Sequence, residues 1–266
     1  MTDHIKVDSH HPRAKSIQIR ERLVNNIDNK VVALAGLIAH GRGEAFDYIL
    51  GEVTTGSALK AITAAAAALL LARHPVLSVN GNVAALCPAE LVELSRASGA
   101  KLEVNLFHRT PGREKAIEEV LRRNGATEVL GVNEAASAHI DEVFSDRRLV
   151  DPEGIYMADV VFVPLEDGDR TEGLVRMGKR VITVDLNPMS RTAQFATITI
   201  VDNVVRVMPL LISEVNRLRK LSRSELEEIV SEYDNRWVLS DAINIMKERL
   251  GKLAEKGIYI EPNAKQ

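Results

Sequence analysis

From Pro12 to Asn29 the apolar positions Ile17, Ile19, Leu23, Val24 and Ile27 form an imperfect stripe at helical spacing, and Pro12 suits a first turn. Gly43–Leu50 reads as a short helix. Thr54 or Thr55 is placed to cap an alanine-rich helix running to about Arg73. His74-Pro75 ends it, and Val76–Val79 reads as a short strand closed by Asn80-Gly81-Asn82. Helices are predicted over Pro88–Ser98 and over Pro111–Asn124, the second stopped by Gly125; strands are predicted at Lys101–Asn105 and Glu128–Leu130. Ala158–Pro164, Arg180–Leu186 and Ala196–Val201 read as strands, with a short helix at Thr171–Met177.

Several of these strands are apolar throughout and alternate with helices. That pattern predicts an α/β fold: a Rossmann-like, mostly parallel sheet with helices on both faces. Val204–Lys220, Ser222–Tyr233 and Val238–Lys256 add amphipathic helices that pack on the sheet or on a second copy of the chain. Asp146–Gly154 is the best candidate for an exposed loop, and nothing resembles a linker. Residues 1–266 therefore read as one α/β domain whose part 204–266 is helical.

Composition narrows this picture. A chain of 266 residues is long enough to bury a full core, and 45% hydrophobic with 27% charged residues is ordinary for a globular protein. The net charge of -3 gives no bulk attraction to nucleic acid or anionic membrane. Cys87 is the only cysteine, which excludes an internal disulfide or a cysteine zinc site and fits a reducing cytoplasm. The opening MTDHIKVDSHHPR has no apolar run, so no signal peptide is expected, and the apolar Ala61–Ala72 is too short for a membrane span. The seven histidines show no metal-ligand spacing, and no metal ligand is assigned.

The ends of the strands carry the candidate chemistry. Asn80-Gly81-Asn82, Phe107-His108-Arg109-Thr110, Glu166-Asp167-Gly168-Asp169-Arg170, Asp185 with Asn187, Ser190, Arg191 and Thr192, and Asp202-Asn203 all follow strands. In open parallel sheets ligands bind beyond the carboxyl ends. Turn chemistry accounts for any one of these ends, but the recurrence of arginine favours one polar cleft. The stretch GLIAHGRGEAFDYILGE, Gly36–Glu52, reads as an anion-binding turn at the start of a helix, with Arg42 as its fixed cation. Glu44, Asp47 and Tyr48 share a helical face behind it, and the two acids stay open between magnesium, a substrate amine and structure. Two near-motifs fail. Gly41-Arg42-Gly43 lacks the third glycine of a dinucleotide fingerprint, where Phe46 stands, and Gly173–Arg180 precedes a strand and lacks the Ser or Thr of a phosphate loop. Cys87, inside VAALCP, reads as buried and inert.

The blocks GLIAHGRGEAFDYILGE, AAAAALLLARHPVLSVNGNVAAL, GAKLEVNLFHRT, GIYMADVVFVPLEDGDRTE and MGKRVITVDLNPMSRTAQFATITIVDNVVR occur in this order. Through them the chain resembles the archaeal phosphopantothenate synthetases, or 4-phosphopantoate–β-alanine ligases, from SHHPRAKS to about Leu218. The resemblance implies condensation of 4-phosphopantoate with β-alanine to 4′-phosphopantothenate, AMP and diphosphate through an acyl-adenylate. It also implies ATP as substrate with Mg²⁺, a step towards coenzyme A, and a homodimer in an archaeal cytoplasm. On this likeness Arg20, Arg42, Asp185, Asn187, Arg191, Thr192, Asp202 and Asn203 would hold ATP, with Arg42 and His40 the candidates nearest the chemistry. His11, Arg13, Asn105 and Arg109 are candidates for the phosphopantoate pocket. His11 and His40 stand as candidates either to contact a phosphate or to help deprotonate the amine. An NAD(P)-dependent oxidoreductase and a non-catalytic nucleotide-binding protein are the competing readings.

Overall fold

The computed structural model describes residues 8, 10, 11 and 13–257, so the predicted helix start at Pro12 lies outside the described residues. The first helix, α1, spans Ala14–Val24. It stops short of Asn29 because asparagines there bond locally: Asn26 Nδ2 donates to the Arg22 carbonyl and Asn29 Nδ2 to Asn26 Oδ1. Helix α2 spans Leu34–Leu50 and α3 Gly56–Leu71, the latter capped by Thr55, whose side chain accepts from Ala58 N–H. Strand β1 (Pro75–Val79) leads into α4 (Gly81–Leu86) and α5 (Pro88–Ser98). Strand β2 (Lys101–Val104) precedes α6 (Pro111–Arg123). Two-residue strands β3 (Ala138–His139) and β4 (Leu149–Val150) pair antiparallel. Then come β5 (Val160–Phe162), α7 (Gly168–Arg176), β6 (Arg180–Val184), α8 (Arg191–Phe195) and β7 (Ile198–Ile200). Helices α9 (Val204–Leu218), α10 (Arg223–Ser231) and α11 (Asn235–Lys256) close the described chain.

The sheet is parallel, in the order β2-β1-β5-β6-β7. The expected strand at Glu128–Leu130 shrinks to one parallel bridge between Leu130 and Glu103, because the chain turns away at Gly131, φ +72°. Side chains alternate across the sheet. Leu77, Val79, Phe162, Ile182 and Val184 meet α3, α5 and α9 on one face. Val76, Val161, Val163 and Val181 meet Leu174 of α7 and Ile140, Val143, Val150 and Ile155 on the other. The helices on both faces match the predicted fold class. The alanines of α3 are buried almost all round, and their small side chains let α9, α10 and β7 pack close. Among the described residues no helix is long and apolar enough to cross a membrane.

Two expectations are corrected. Gly36–Leu50 is not a turn followed by a helix; it is all helix, because α2 begins at Leu34. Glycine costs about 1 kcal/mol in a helix interior, yet Gly36 and Gly43 meet neighbours there. A Cβ on Gly36 would lie 2.3 Å from Asn82 Oδ1, and one on Gly43 would lie 3.7 Å from Leu186. Nor is Asp146–Gly154 an exposed loop: Arg147, Val150 and Asp151 are buried, and Val150 and Ile155 complete the second core cluster. Glu103, wholly buried in β2, holds this segment by accepting the N–H groups of Asp151 and Ile155.

Candidate active site

A cleft of about 800 Å³ opens at the carboxyl ends of the five parallel strands, with α2 along one wall. The strand order reverses between β1 and β5, and ligand crevices of doubly wound sheets lie at that reversal. Asn80 bridges it: its Nδ2 donates to the carbonyls of Pro164 and Leu165 beyond β5, while its Oδ1 caps α4 at Val83 N–H.

The cleft brings together His40, Arg42, Asp185, Asn187, Arg191, Thr192 and Asn203. The loop after β6 is held by its own polar groups. Asp185 accepts from Ser190 Oγ and from Asn187 N–H, and Ser190 in turn caps α8 at Ala193 N–H. Burial pushes the Asp185 carboxyl up, against these donors and Arg42, which act to lower it. Thr192 is buried and donates to the Glu166 carbonyl, joining the β5 and β6 ends. Arg191 pairs with Glu172 and lies over the Phe195 ring. Arg42 is exposed on α2 and forms no ion pair among the described residues. It lines the cleft from mid-helix, where the free N–H groups of a helix start are absent. His40, half-buried, also lines the cleft; burial holds its imidazole below the ordinary value, and its Nε2 has no hydrogen-bond partner among the described residues.

The acids behind Arg42 bind other residues of the protein. Glu44 takes the Arg20 guanidinium as a fork, Nε to Oε1 at 3.0 Å and Nη2 to Oε2 at 2.8 Å, with Tyr48 OH donating to Oε1 at 2.9 Å. Burial works to raise Glu44, but the hydrogen bonds and charge of Arg20 and the Tyr48 bond leave it below the usual carboxylate range. Arg20 thus flanks α2 outside the cleft lining. Asp47 is buried and receives Arg206 Nη2 at 2.6 Å and Asn203 Nδ2 at 2.9 Å. Asp202 accepts from Thr54 Oγ1 and Arg206 Nε, and so backs Asn203 from below the cleft surface.

Four other candidates are not brought into the cleft. Asn105 is wholly buried and donates to the carbonyls of Arg147 and Leu149. Arg109 pairs with Glu114 at 2.5 Å and donates to the carbonyls of Gly131 and Leu149; it borders a separate hollow at the start of α6. His11 and Arg13 are exposed ahead of α1, where His11 Nδ1 accepts from Arg13 N–H. In their place the cleft recruits Arg113 and Arg147, which the sequence reading passed over. Arg147 lies 2.7 Å from Glu166 Oε1 and 2.9 Å from Asp167 Oδ2, and the wholly buried Arg170 also pairs with Glu166. Only the recurrence of arginine hinted at this network, because Arg147 lies in the segment read as a loop.

Fold and cleft together define an α/β protein that gathers cations and buried carboxylates at its strand ends, a surface suited to phosphorylated ligands. The family model described as phosphopantothenate/pantothenate synthetase matches residues 57–249. A 4-phosphopantoate–β-alanine ligase of Thermococcus onnurineus is 53% identical over 96% of this chain and 97% of its own length. The ligase of the same name from Thermococcus kodakarensis is 52% identical over the same shares, and that of Methanosarcina mazei 51% over 97% of this chain and all of its own. The chain belongs to the phosphopantothenate/pantothenate synthetase family.

Proposed function

We propose that this chain joins 4-phosphopantoate to β-alanine with ATP. Near-full-length identity above 50% to ligases of that name carries the reading, and the charged cleft supports it. A carboxylate is a poor acylating agent. Its oxygen would attack the α-phosphorus of ATP, releasing diphosphate and leaving an acyl-adenylate. The amine of β-alanine would then attack the acyl carbon, and AMP would leave with the electron pair of the broken bond. Arg42 and Arg191 would offset phosphate charge as it builds, and Asp185, Asn187, Thr192 and Asn203 would orient the nucleotide. The amine arrives as an ammonium, and the neutral His40 ring is suited to take its proton. His11, Arg13 and Arg20 stay as proposed outer contacts beside α1 and α2.

No cluster of three His, Cys, Asp or Glu that could hold a metal occurs among the described residues. Mg²⁺ on a nucleotide needs only one or two carboxylates, and Asp167 and Asp185 in the cleft wall fit that demand. Bound there, the ion would screen phosphate charge. A homodimer in the cytoplasm and a place on the route to coenzyme A belong to the same proposal, as does a single α/β domain with 204–266 as its helical part. The dinucleotide alternative keeps only the sheet pattern as its motive, since the glycines that also suggested it lie inside α2.

The test is to incubate the chain with ATP, Mg²⁺, 4-phosphopantoate and β-alanine. The expected products are AMP, diphosphate and 4′-phosphopantothenate. ADP in place of AMP would overturn the adenylate route, and stabilisation by NAD but not by ATP would overturn the ligase reading.

A further inference from the structure

We infer that the part of the cleft above β1 and β2 seats the phosphorylated acid, and that Arg113 grips its phosphate; this rests on the ligase reading above. Residues assigned to the nucleotide follow β6 and β7, on one side of the β1/β5 reversal. The remaining side is bordered by Asn82, Phe107, His108 and Arg113. Arg113 stands in the first turn of α6 with its guanidinium partly buried. Nε, Nη1 and Nη2 donate to the carbonyls of Lys30, His108 and Val31 at 3.3, 2.6 and 3.0 Å.

A guanidinium has five N–H groups, so two remain, one on each Nη, to donate to a phosphate. The other buried cations of the cleft wall are neutralised, Arg147 by Glu166 and Asp167. Arg113 meets only carbonyls and makes no ion pair among the described residues. Burial, with the charge of Arg147 behind it, acts against its protonated form. A cation so placed is costly until an anion completes it.

The chain is shaped to keep it there. A Cβ on Gly81 would stand 2.1 Å from the Val31 carbonyl and 2.9 Å from Arg113 Nη2, so only glycine lets the guanidinium lie against that backbone. With the phosphate on Arg113, the carboxyl end of a short acid points to the strand reversal and to the nucleotide beyond it.

The experiment compares wild type, Arg113→Gln and Arg113→Lys in the full chain, with 4-phosphopantoate and unphosphorylated pantoate as acids. Calorimetry reads binding and steady-state assays read turnover. Arg113→Gln should weaken 4-phosphopantoate roughly 10- to 150-fold, the loss of a charged hydrogen-bond pair, leave the KM for ATP unchanged, and collapse the preference for 4-phosphopantoate over pantoate. Arg113→Lys, which keeps the charge but not the two Nη donors, should retain part of that preference. An unchanged preference in Arg113→Gln, or equal losses with both acids, would overturn the inference. Failure of the ligase reading shows separately: wild type would bind 4-phosphopantoate yet make no amide, and the calorimetric comparison would still decide Arg113.

Discussion

Arg42 and His40 differ in what the protein asks of them. Arg42 is exposed and unpaired among the described residues, so Arg42→Ala should leave the thermal midpoint nearly unchanged, as surface substitutions do, within about 0.5 kcal/mol. If it stabilises charge in the transition state, adenylate formation should fall by roughly 10²–10³-fold. Pyrophosphate release measures this, and near-normal release would remove Arg42 from the site. His40 is held neutral by burial, its pKa below the ordinary imidazole value. Amide formation should therefore rise with pH through an apparent pKa below that value and then level off. His40→Gln should lower kcat and erase that acidic limb; a profile of unchanged shape would assign the proton to another group.

At the scale of elements, α2 is fastened at both flanks. Glu44 ties it to α1 through Arg20, and Asp47 ties it to the start of α9 through Arg206 and Asn203. Asp47→Ala leaves a partly buried guanidinium and an amide short of an acceptor, at a cost of about 1–3 kcal/mol. Because Asn203 then loses its anchor, KM for ATP should rise with the fall in thermal midpoint. A midpoint shift with unaltered ATP kinetics would make the fastening purely structural. The elements themselves were largely legible. Apolar strands such as Ala158–Pro164 and the Thr54/Thr55 cap, which falls on Thr55, declare themselves locally. The helical state of HGRG did not, because its glycines are those of a turn, and Asn82, which holds the Gly36 carbonyl earlier in the same helix, lies distant in sequence. Asp185, Asn187, Arg191, Thr192 and Asn203 were placed by blocks of resemblance and meet in the cleft. Arg113 and Arg147 escaped, because neither the lack of a counter-ion at one nor the burial of the other in the cleft wall is written in the neighbouring residues.

For the molecule as a whole, Glu103 joins the edge of the sheet to the segment that carries Arg147. It is wholly buried, accepts N–H groups from Asp151 and Ile155, and leaves no room at Gly154, where a Cβ would lie 2.0 Å from Oε2. Burial is the largest influence on it and raises the carboxyl from 4.5 to about 7, against the two N–H groups and the charge of Arg170. Between those pH values the folded chain holds a proton that the unfolded chain has lost. Stability from this group is therefore full below pH 4.5 and declines as pH rises, levelling above about 7. The decline is on the order of 3 kcal/mol. Other carboxylates slope the opposite way, so the signal is the difference between wild type and Glu103→Gln. Glutamine cannot ionise, and it keeps one acceptor while turning an amine towards the second N–H. Thermal midpoints measured from pH 4.5 to 8 should show wild type losing ground to Glu103→Gln as pH rises. If the lost acceptor outweighs the removed ionisation, the variant will be less stable at every pH, but the gap will still narrow upward. A gap independent of pH would mean that Glu103 ionises alike folded and unfolded, and that backbone donors alone offset its burial.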